Sequence, residues 1–227
     1  MGAALDKSVS KRDMKRRLIL KSAAHVFAEK GYVDSSIKNI TDEASVAVGT
    51  FYTYFNNKEE VLEQIYEEIS NMSVEIASNA SKYESTNDNI VKKFTFGLAC
   101  VICMYTQNRD LSKILFVRSM GINEAFEKKR WQILDQINIY LRDILKHLKN
   151  EHLSCVYDLD VTSVMITQSI FGVITYWLDG KFTCDIKEII FSLCSYHLQA
   201  LNITFTEDEI NNYITEVIDL GYEKFYK

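Results

Sequence analysis

The 227-residue sequence contains no proline and only 8 glycines. At the usual frequency of about 5%, a chain this long carries roughly ten prolines. Many-stranded sandwiches and barrels make their connections with Gly and Pro, so this chain lacks the material for them. What survives is an all-α fold with short punctuation between helices. Apolar residues are 47% and charged residues 25%, enough for a core and too apolar for wholesale disorder.

No apolar run approaches the ~18–20 residues of a membrane span, and the basic, polar start lacks the pattern of a secretory signal. A membrane is therefore not expected among the partners. The five cysteines, Cys100, Cys103, Cys155, Cys184 and Cys194, are odd in number and sparse. That argues against a disulfide framework and for the reducing cytosol, so a cytoplasmic location is expected.

The net charge of −5 hides an imbalance. Residues 1–58 hold ten Lys/Arg against six Asp/Glu, whereas the remainder holds sixteen against twenty-five. Seven of the bases fall within residues 7–21. A basic segment on an acidic body suggests a module that faces a polyanion, joined to one that does not.

Hydrophobic periodicity and caps place the helices. The first spans 11–30, stopped by Gly31. Ser35 or Ser36 caps a short helix through Ala44, with Ile37, Ile40 and Ala44 on one face. A turn at 45–47 leads to a second short helix at 48–54, whose inner side carries Phe51 and Phe55. Asn57 caps a long helix reaching about Asn79, with Glu60 at the capping-box position. Residues 81–89 are the best linker. Further helical segments are expected at 89–107, 110–120, 122–149, 159–179, 186–201 and 207–224. Gly121 and Gly180 end helices; Asp158 or Asp160, Asp185 and Thr206 begin them.

Three short helices, the last two joined by a tight turn, describe a helix-turn-helix. The third must be short, anchored by an apolar inner face, and must present small or polar groups to the major groove. Val48, Gly49, Thr50, Thr53 and the tip of Tyr52 remain for that outer face.

The strings Phe27-Ala28-Glu29-Lys30-Gly31-Tyr32, Ser36-Ile37-Lys38-Asn39-Ile40, Val48-Gly49-Thr50-Phe51-Tyr52-Thr53-Tyr54-Phe55 and Asn57-Lys58-Glu59-Glu60 resemble the DNA-binding domain of the TetR family of bacterial transcriptional repressors. The resemblance covers about residues 15–62. It implies that Tyr52, Tyr54 and Thr50 grip phosphates or approach bases, that Lys58 contacts a phosphate, and that Lys38 reaches a base edge. It further implies that Val48 and Gly49 touch bases, with Ser36 and Thr53 completing the DNA-binding set. Where the family commonly has Gly and Ser, this chain has Ser45 and Ala47. Ala47 cannot cap the recognition helix, a loss worth about 1 kcal/mol. The outer face also lacks Arg, Asn and Gln, which shifts weight from direct base readout to backbone contacts and DNA shape.

The expected architecture is therefore an N-terminal three-helix DNA-binding domain (1–57) and a larger helical ligand-binding and dimerisation domain (58–227), about nine to ten helices in all. For the second part the family implies a twofold interface built from two late helices. Val164, Gln168, Phe171, Gly172, Thr175, Ile190, Leu193 and His197 are the candidates for it. Met104, Tyr105, Arg118, Trp131, Gln168 and Tyr176 are the candidates for a ligand pocket, as polar or soft groups near apolar faces. Cys100 and Cys103 lack a second ligand pair, so neither a metal nor a cofactor is expected. No hydrolase, phosphate-loop or dinucleotide motif recommends an enzyme. The reading is a homodimeric regulator of palindromic double-stranded DNA, a repressor released by a small-molecule effector. Its rivals are a constitutive or partner-controlled DNA binder and a thiol or metal sensor using Cys100 and Cys103.

Overall fold

The computed structural model describes residues 11–83, 89–118, 124–150 and 156–225. Among these residues it has ten α-helices and no strand: α1 (Lys11–Lys30), α2 (Ile37–Glu43), α3 (Val48–Tyr52), α4 (Lys58–Tyr83), α5 (Ile90–Gln107), α6 (Arg109–Lys113), α7 (Glu124–Asn150), α8 (Leu159–Leu178), α9 (Ile186–Ala200) and α10 (Glu207–Leu220). A π-helical turn, Ile114–Arg118, continues α6, and a 3-10 turn, Tyr222–Phe225, follows α10.

Most ends are set by the caps read from the sequence. Ser36 caps α2, accepting from the Asn39 N–H while the Asn39 side chain takes the Ser36 N–H. Asp158 caps α8, and Asp185 with Glu188 and Thr206 with Glu209 form reciprocal boxes at α9 and α10. Gly31 and Gly180 leave their helices at φ of +84° and +73°, where a Cβ would be strained. Asn57 does accept from the Glu60 N–H, but the Glu60 carboxylate reaches back to the N–H of Asn56 rather than that of Asn57. The expected linker is shorter than 81–89, because α4 runs to Tyr83 and Asn89 already caps α5. Gly121 lies outside the described residues.

Two expected helices differ. The recognition helix stops at Tyr52 instead of residue 54. The 110–120 segment is not one α-helix, since after five residues its hydrogen bonding widens into the π turn. Such turns carry one residue too many for the α ladder and cluster at functional positions.

α5 is the central rod. Eleven of its residues are buried, because α4, α9 and α10 all pack on it. α7 pairs with α8 and with α4. The first turns of α4 bury Val61, Leu62 and Ile65, and one apolar core runs from α1 to α10. The start of α4 at Lys58 therefore coincides with the expected domain boundary, yet packing is continuous across it.

α8 corrects the expectation that no segment is long and apolar enough for a membrane span. It has 20 residues and a mean hydropathy of 1.4 over its most apolar window. Thr, Ser and Gln interrupt its apolar runs, which is why a search for contiguous apolar residues passes it by. Its inner face buries Ile166, Ile170, Ile174 and Leu178 in the body. Its outer face carries Val161, Val164, Met165, Gln168, Gly172 and Tyr176, all exposed at helical spacing.

Four of the expected interface residues are turned the other way. Phe171, Ile190, Leu193 and His197 are buried inside their own chain. α9 packs on α5 and α10, which takes up the apolar face that carries them. Val164, Gln168 and Gly172 are exposed and Thr175 is half-buried.

His197 sits between α8 and α9 with Nε2 2.7 Å from Ser169 Oγ. Ser169 gives its only proton to the Ile166 carbonyl (2.8 Å), so it accepts from His197 Nε2–H. Burial holds the imidazole neutral, with its pKa pushed down to about 4 from 6.5. The unfolded chain thus takes up a proton near pH 6.5 that the folded chain refuses until about 4. Stability from this group is whole above pH 6.5 and falls as pH drops toward 4, by at most about 3 kcal/mol. Denaturant titrations between pH 7 and 4 should show this loss, and His197→Gln should flatten it.

Candidate nucleic-acid interface and effector cavity

α3 has an inside and an outside separated by single residues. Phe51 is fully buried and Phe55, just beyond the helix, nearly so; their rings are 5.7 Å apart. On the other side Tyr52 is 55% exposed and Val48 46%, with Gly49 and Thr53 also exposed. Thr50 and Tyr54 are half-buried at the edges, and Ser36 and Lys38 are exposed on α2. Two of the expected hydroxyls have local partners: Ser36 caps α2, and Thr53 Oγ1 donates to the Gly49 carbonyl at 3.2 Å. The outward surface is small, uncharged on α3, and flanked by Lys38.

The turn before α3 holds two local costs. Ser45 lies in the left-handed region at φ of 51°, where the chain closes a tight pair of bonds, Ser45 N–H to Asp42 O and Val46 N–H to Thr41 O. Ala47 occupies the N-cap of α3 with no side-chain bond, as the sequence foretold.

Lys58 is tied inward. Its ammonium donates to the Tyr32 carbonyl at 2.6 Å and the Ser35 carbonyl at 2.8 Å, and sits 4.2 Å from the centre of the Tyr32 ring. Burial lowers its pKa, partly opposed by Asp34, and burial likewise raises that of Tyr32. Lys58 thereby pins the α1–α2 connection to the start of α4. A phosphate contact from it would use the remaining N–H.

Behind the head, a cavity of about 250 Å³ lies between α7, α8 and the π turn. Leu115 and Phe116 come from the π turn, Ile133 and Leu134 from α7, and Gln168 and Phe171 from α8. Arg130, Gly172, Thr175 and Tyr176 complete it. Arg130 is held by Glu127, with Nη2 at 2.8 Å from the carboxylate. Gln168 and Tyr176, two of the candidates for a ligand pocket, are among its lining residues.

Other pocket candidates are not. Met104 and Tyr105 are fully buried on α5. The Tyr105 hydroxyl is 2.9 Å from Ser73 Oγ, which donates to the Ile69 carbonyl, so Tyr105 is the donor. Its ring stands edge-on to Phe116 at 4.9 Å and supports the cavity from behind. Trp131 is 53% exposed on the far side of α7 from the core. The side chain of Arg118 lies outside the described residues. Sequence reasoning missed Arg130, Ile133 and Leu134, although their spacing on a helix with an apolar stripe was the available signal.

Two further spaces flank this cavity. A polar cleft of about 530 Å³ between α4 and α7 is lined by Tyr66, Ser70, Asn71, Lys129 and Gln132 among others. An apolar slot of about 70 Å³ lies between α5, α7 and α8.

The thiol-sensor rival finds no support in the geometry. Cys100 and Cys103 are buried, and burial pushes the Cys100 thiol far up, away from the reactive thiolate. Cys155 lies outside the described residues. Among the described residues no three His, Cys, Asp or Glu side chains converge as a metal site would require.

α6 joins the cavity to the head. Asp110 Oδ2 is 3.0 Å from His25 Nδ1 on α1, and Lys113 Nζ is 2.9 Å from Glu29 Oε1, also on α1. The next two residues after Ile114 are cavity walls.

Two stability measurements check the head. Lys58→Met strands two carbonyls and should cost about 1 kcal/mol or more in chemical denaturation. Ala47→Ser supplies the missing cap and should add about 1 kcal/mol.

The family model for bacterial regulatory proteins of the tetR family matches residues 19–65. The fatty acid metabolism regulator protein of Bacillus subtilis (strain 168) is 37% identical over 82 residues, covering 34% of this chain and 42% of that protein. The chain thus matches less than half of that relative's length. In structure, the fatty acid degradation regulator FadR from Bacillus halodurans is similar with a TM-score of 0.69 at 22% identity, over 84% of this chain and 97% of the other. FadR from Bacillus subtilis in complex with stearoyl-CoA is similar with a TM-score of 0.66 at 21% identity, over 81% and 98%. At these identities the structures establish a shared fold. The outward row on α3 lies within a helix-turn-helix that matches the tetR family model over residues 19–65, and the helical body shares its fold with regulators of that family.

Proposed function

We propose that the protein is a homodimeric, sequence-specific DNA-binding repressor that a long-chain acyl thioester releases from its operator. The observation that carries the DNA-binding half is the sharp division of α3, with Phe51 and Phe55 inside and Val48, Gly49 and Tyr52 outside. A rod anchored this way enters the major groove without moving its own core. Gly49 allows close backbone approach, Tyr52 reaches the phosphates, and Lys38 addresses a base edge.

Two copies are needed to read a palindrome, with recognition helices about 34–36 Å apart. The exposed stripe of Val161, Val164 and Met165 on α8, continued by Tyr196 on α9, is the surface we assign to the pairing.

The acyl thioester is favoured by two facts. The cavity is mostly apolar, with Arg130 and Gln168 as its polar anchors. A protein of the same fold is known with stearoyl-CoA bound. A ligand displacing Leu115 or Phe116 acts on the π turn, and through α6 on the polar contacts to His25 and Glu29. A coupling of about 1–3 kcal/mol between the sites suffices to release DNA.

Gel-shift titrations with palindromic fragments from the protein's own promoter region test this. Wild type should bind and Tyr52→Ala should bind at least about tenfold more weakly at unchanged thermal stability. Stearoyl-CoA should dissociate the complex while free coenzyme A leaves it intact.

A further inference from the structure

The polar cleft, the cavity and the apolar slot form a graded series along α7. Ile133 lies in the walls of both cleft and cavity, and Phe171 in the walls of both cavity and slot. One α7 side chain and one α8 side chain therefore separate three adjoining spaces. Polarity falls along the series. The cleft presents Ser70, Asn71, Lys129 and Gln132. The cavity keeps Arg130 and Gln168. The slot is walled by hydrocarbon except for Lys93 at one margin and Thr167. Thr167 makes no demand on a guest, because its hydroxyl already meets Asn138 Oδ1 at 2.6 Å and the Ser163 carbonyl at 2.9 Å.

At about 70 Å³ the slot has room for little more than two water-sized groups of about 30 Å³ each. It suits the methyl end of a hydrocarbon chain and nothing bulkier. Phe171 lies in the walls of both slot and cavity, its ring tilted 36° to that of Phe116 with centres 4.8 Å apart. Gly97 lies in the wall of the slot, and a methyl group placed at position 97 would have no heavy atom within 4 Å. A methyl group there is accommodated without contact to a neighbouring side chain.

From this we infer that Phe171 and Gly97 set the length of acyl chain the protein accepts: the chain runs from the cavity past Phe171, and its last methylenes end against Gly97. The assignment rests on the acyl-thioester reading above. Gly97 lines the slot and not the cavity that holds Arg130 and Gln168, so its effect falls on chain length and not on recognition of the thioester as such.

Calorimetric titration of the full-length protein with stearoyl-CoA and decanoyl-CoA tests it. Gly97→Leu should weaken stearoyl-CoA by about tenfold, the value of two lost methylene burials, and leave decanoyl-CoA within about twofold. Gly97→Ala should do the same to a smaller degree. Phe171→Ala, by joining slot and cavity, should widen the preference for stearoyl-CoA over decanoyl-CoA. Thermal unfolding of each variant separates ligand effects from damage to the fold. Variants that bind both probes in the wild-type ratio overturn the inference while the ligand class stands. A uniform loss for both probes in Lys93→Met also overturns it, since the head would then lie at the slot. Wild type that binds neither probe removes the ligand class and the chain-length assignment together.

Discussion

A helix of five residues does not hold itself together in water, because nucleation costs more than one turn of hydrogen bonds returns. α3 is such a helix, and Ala47 gives it no side-chain cap. The outward row of α3 therefore depends on the burial of Phe51 and Phe55. Those rings belong to one buried core that also holds Ile19, Ala23 and Phe27 of α1, Ile40 of α2 and the first turns of α4. Arg16 covers Phe55 from outside, its guanidinium 5.4 Å from the ring centre and bonded to Gln64. The strained Ser45 and the inward Lys58 serve the same end. One lets the chain turn tightly into α3, and the other locks the α1–α2 connection to α4.

That dependence explains how a distant event reaches the recognition helix. α1 reaches Phe55, just beyond α3, through Arg16, and α1 is also the helix that α6 meets through His25 and Glu29. The π turn after α6 has a surplus residue relative to α geometry, so it has a nearby alternative hydrogen-bonding register. Leu115 and Phe116 on that turn face the cavity. A ligand acts only through a difference in affinity between two arrangements, and the proposed release of DNA assigns the second arrangement to the π turn. The His25–Asp110 hydrogen bond and the Lys113–Glu29 ion pair are partly exposed and individually weak. Their role is geometric, fixing where α6 meets α1.

Much of this was legible in the sequence, and the pattern of failures has a physical cause. Helix ends marked by special chemistry were placed well: Gly31, Gly180, Ser36, Asp158, Asp185 and Thr206 each have a role that few residue types fill. The outward row on α3 was readable because its inner residues are large and its outer ones small. The body was harder. α5 and α9 are apolar over wide faces, so periodicity does not say which apolar residue points to which neighbour. Met104, Tyr105, Ile190 and Leu193 were therefore assigned to a pocket or an interface when they serve the core. Trp131 shows the opposite error, since an aromatic ring on an amphipathic helix need not be on its buried side. The π turn left no sequence signal at all, because Ile114 to Val117 reads as an ordinary apolar helical run.

α8 carries two duties on adjoining strips of one helix. Its inner strip, Ile166, Ile170 and Ile174, fills the core, and Phe171 beside it divides the cavity from the slot. Its outer strip joins Val161, Val164 and Met165 to Gln168, Gly172 and Tyr176, and the last three also line the cavity. A substitution at Gln168 or Gly172 thus perturbs the proposed pairing surface and the proposed ligand site together, and its effect on DNA release has no unique cause. Gly97 on α5 escapes this coupling. It lies on α5, in the wall of the slot and outside the α8 stripe, so a change there alters the space for a ligand without substituting a residue of the proposed pairing face. Separating the two duties of α8 therefore begins with the helix packed behind it.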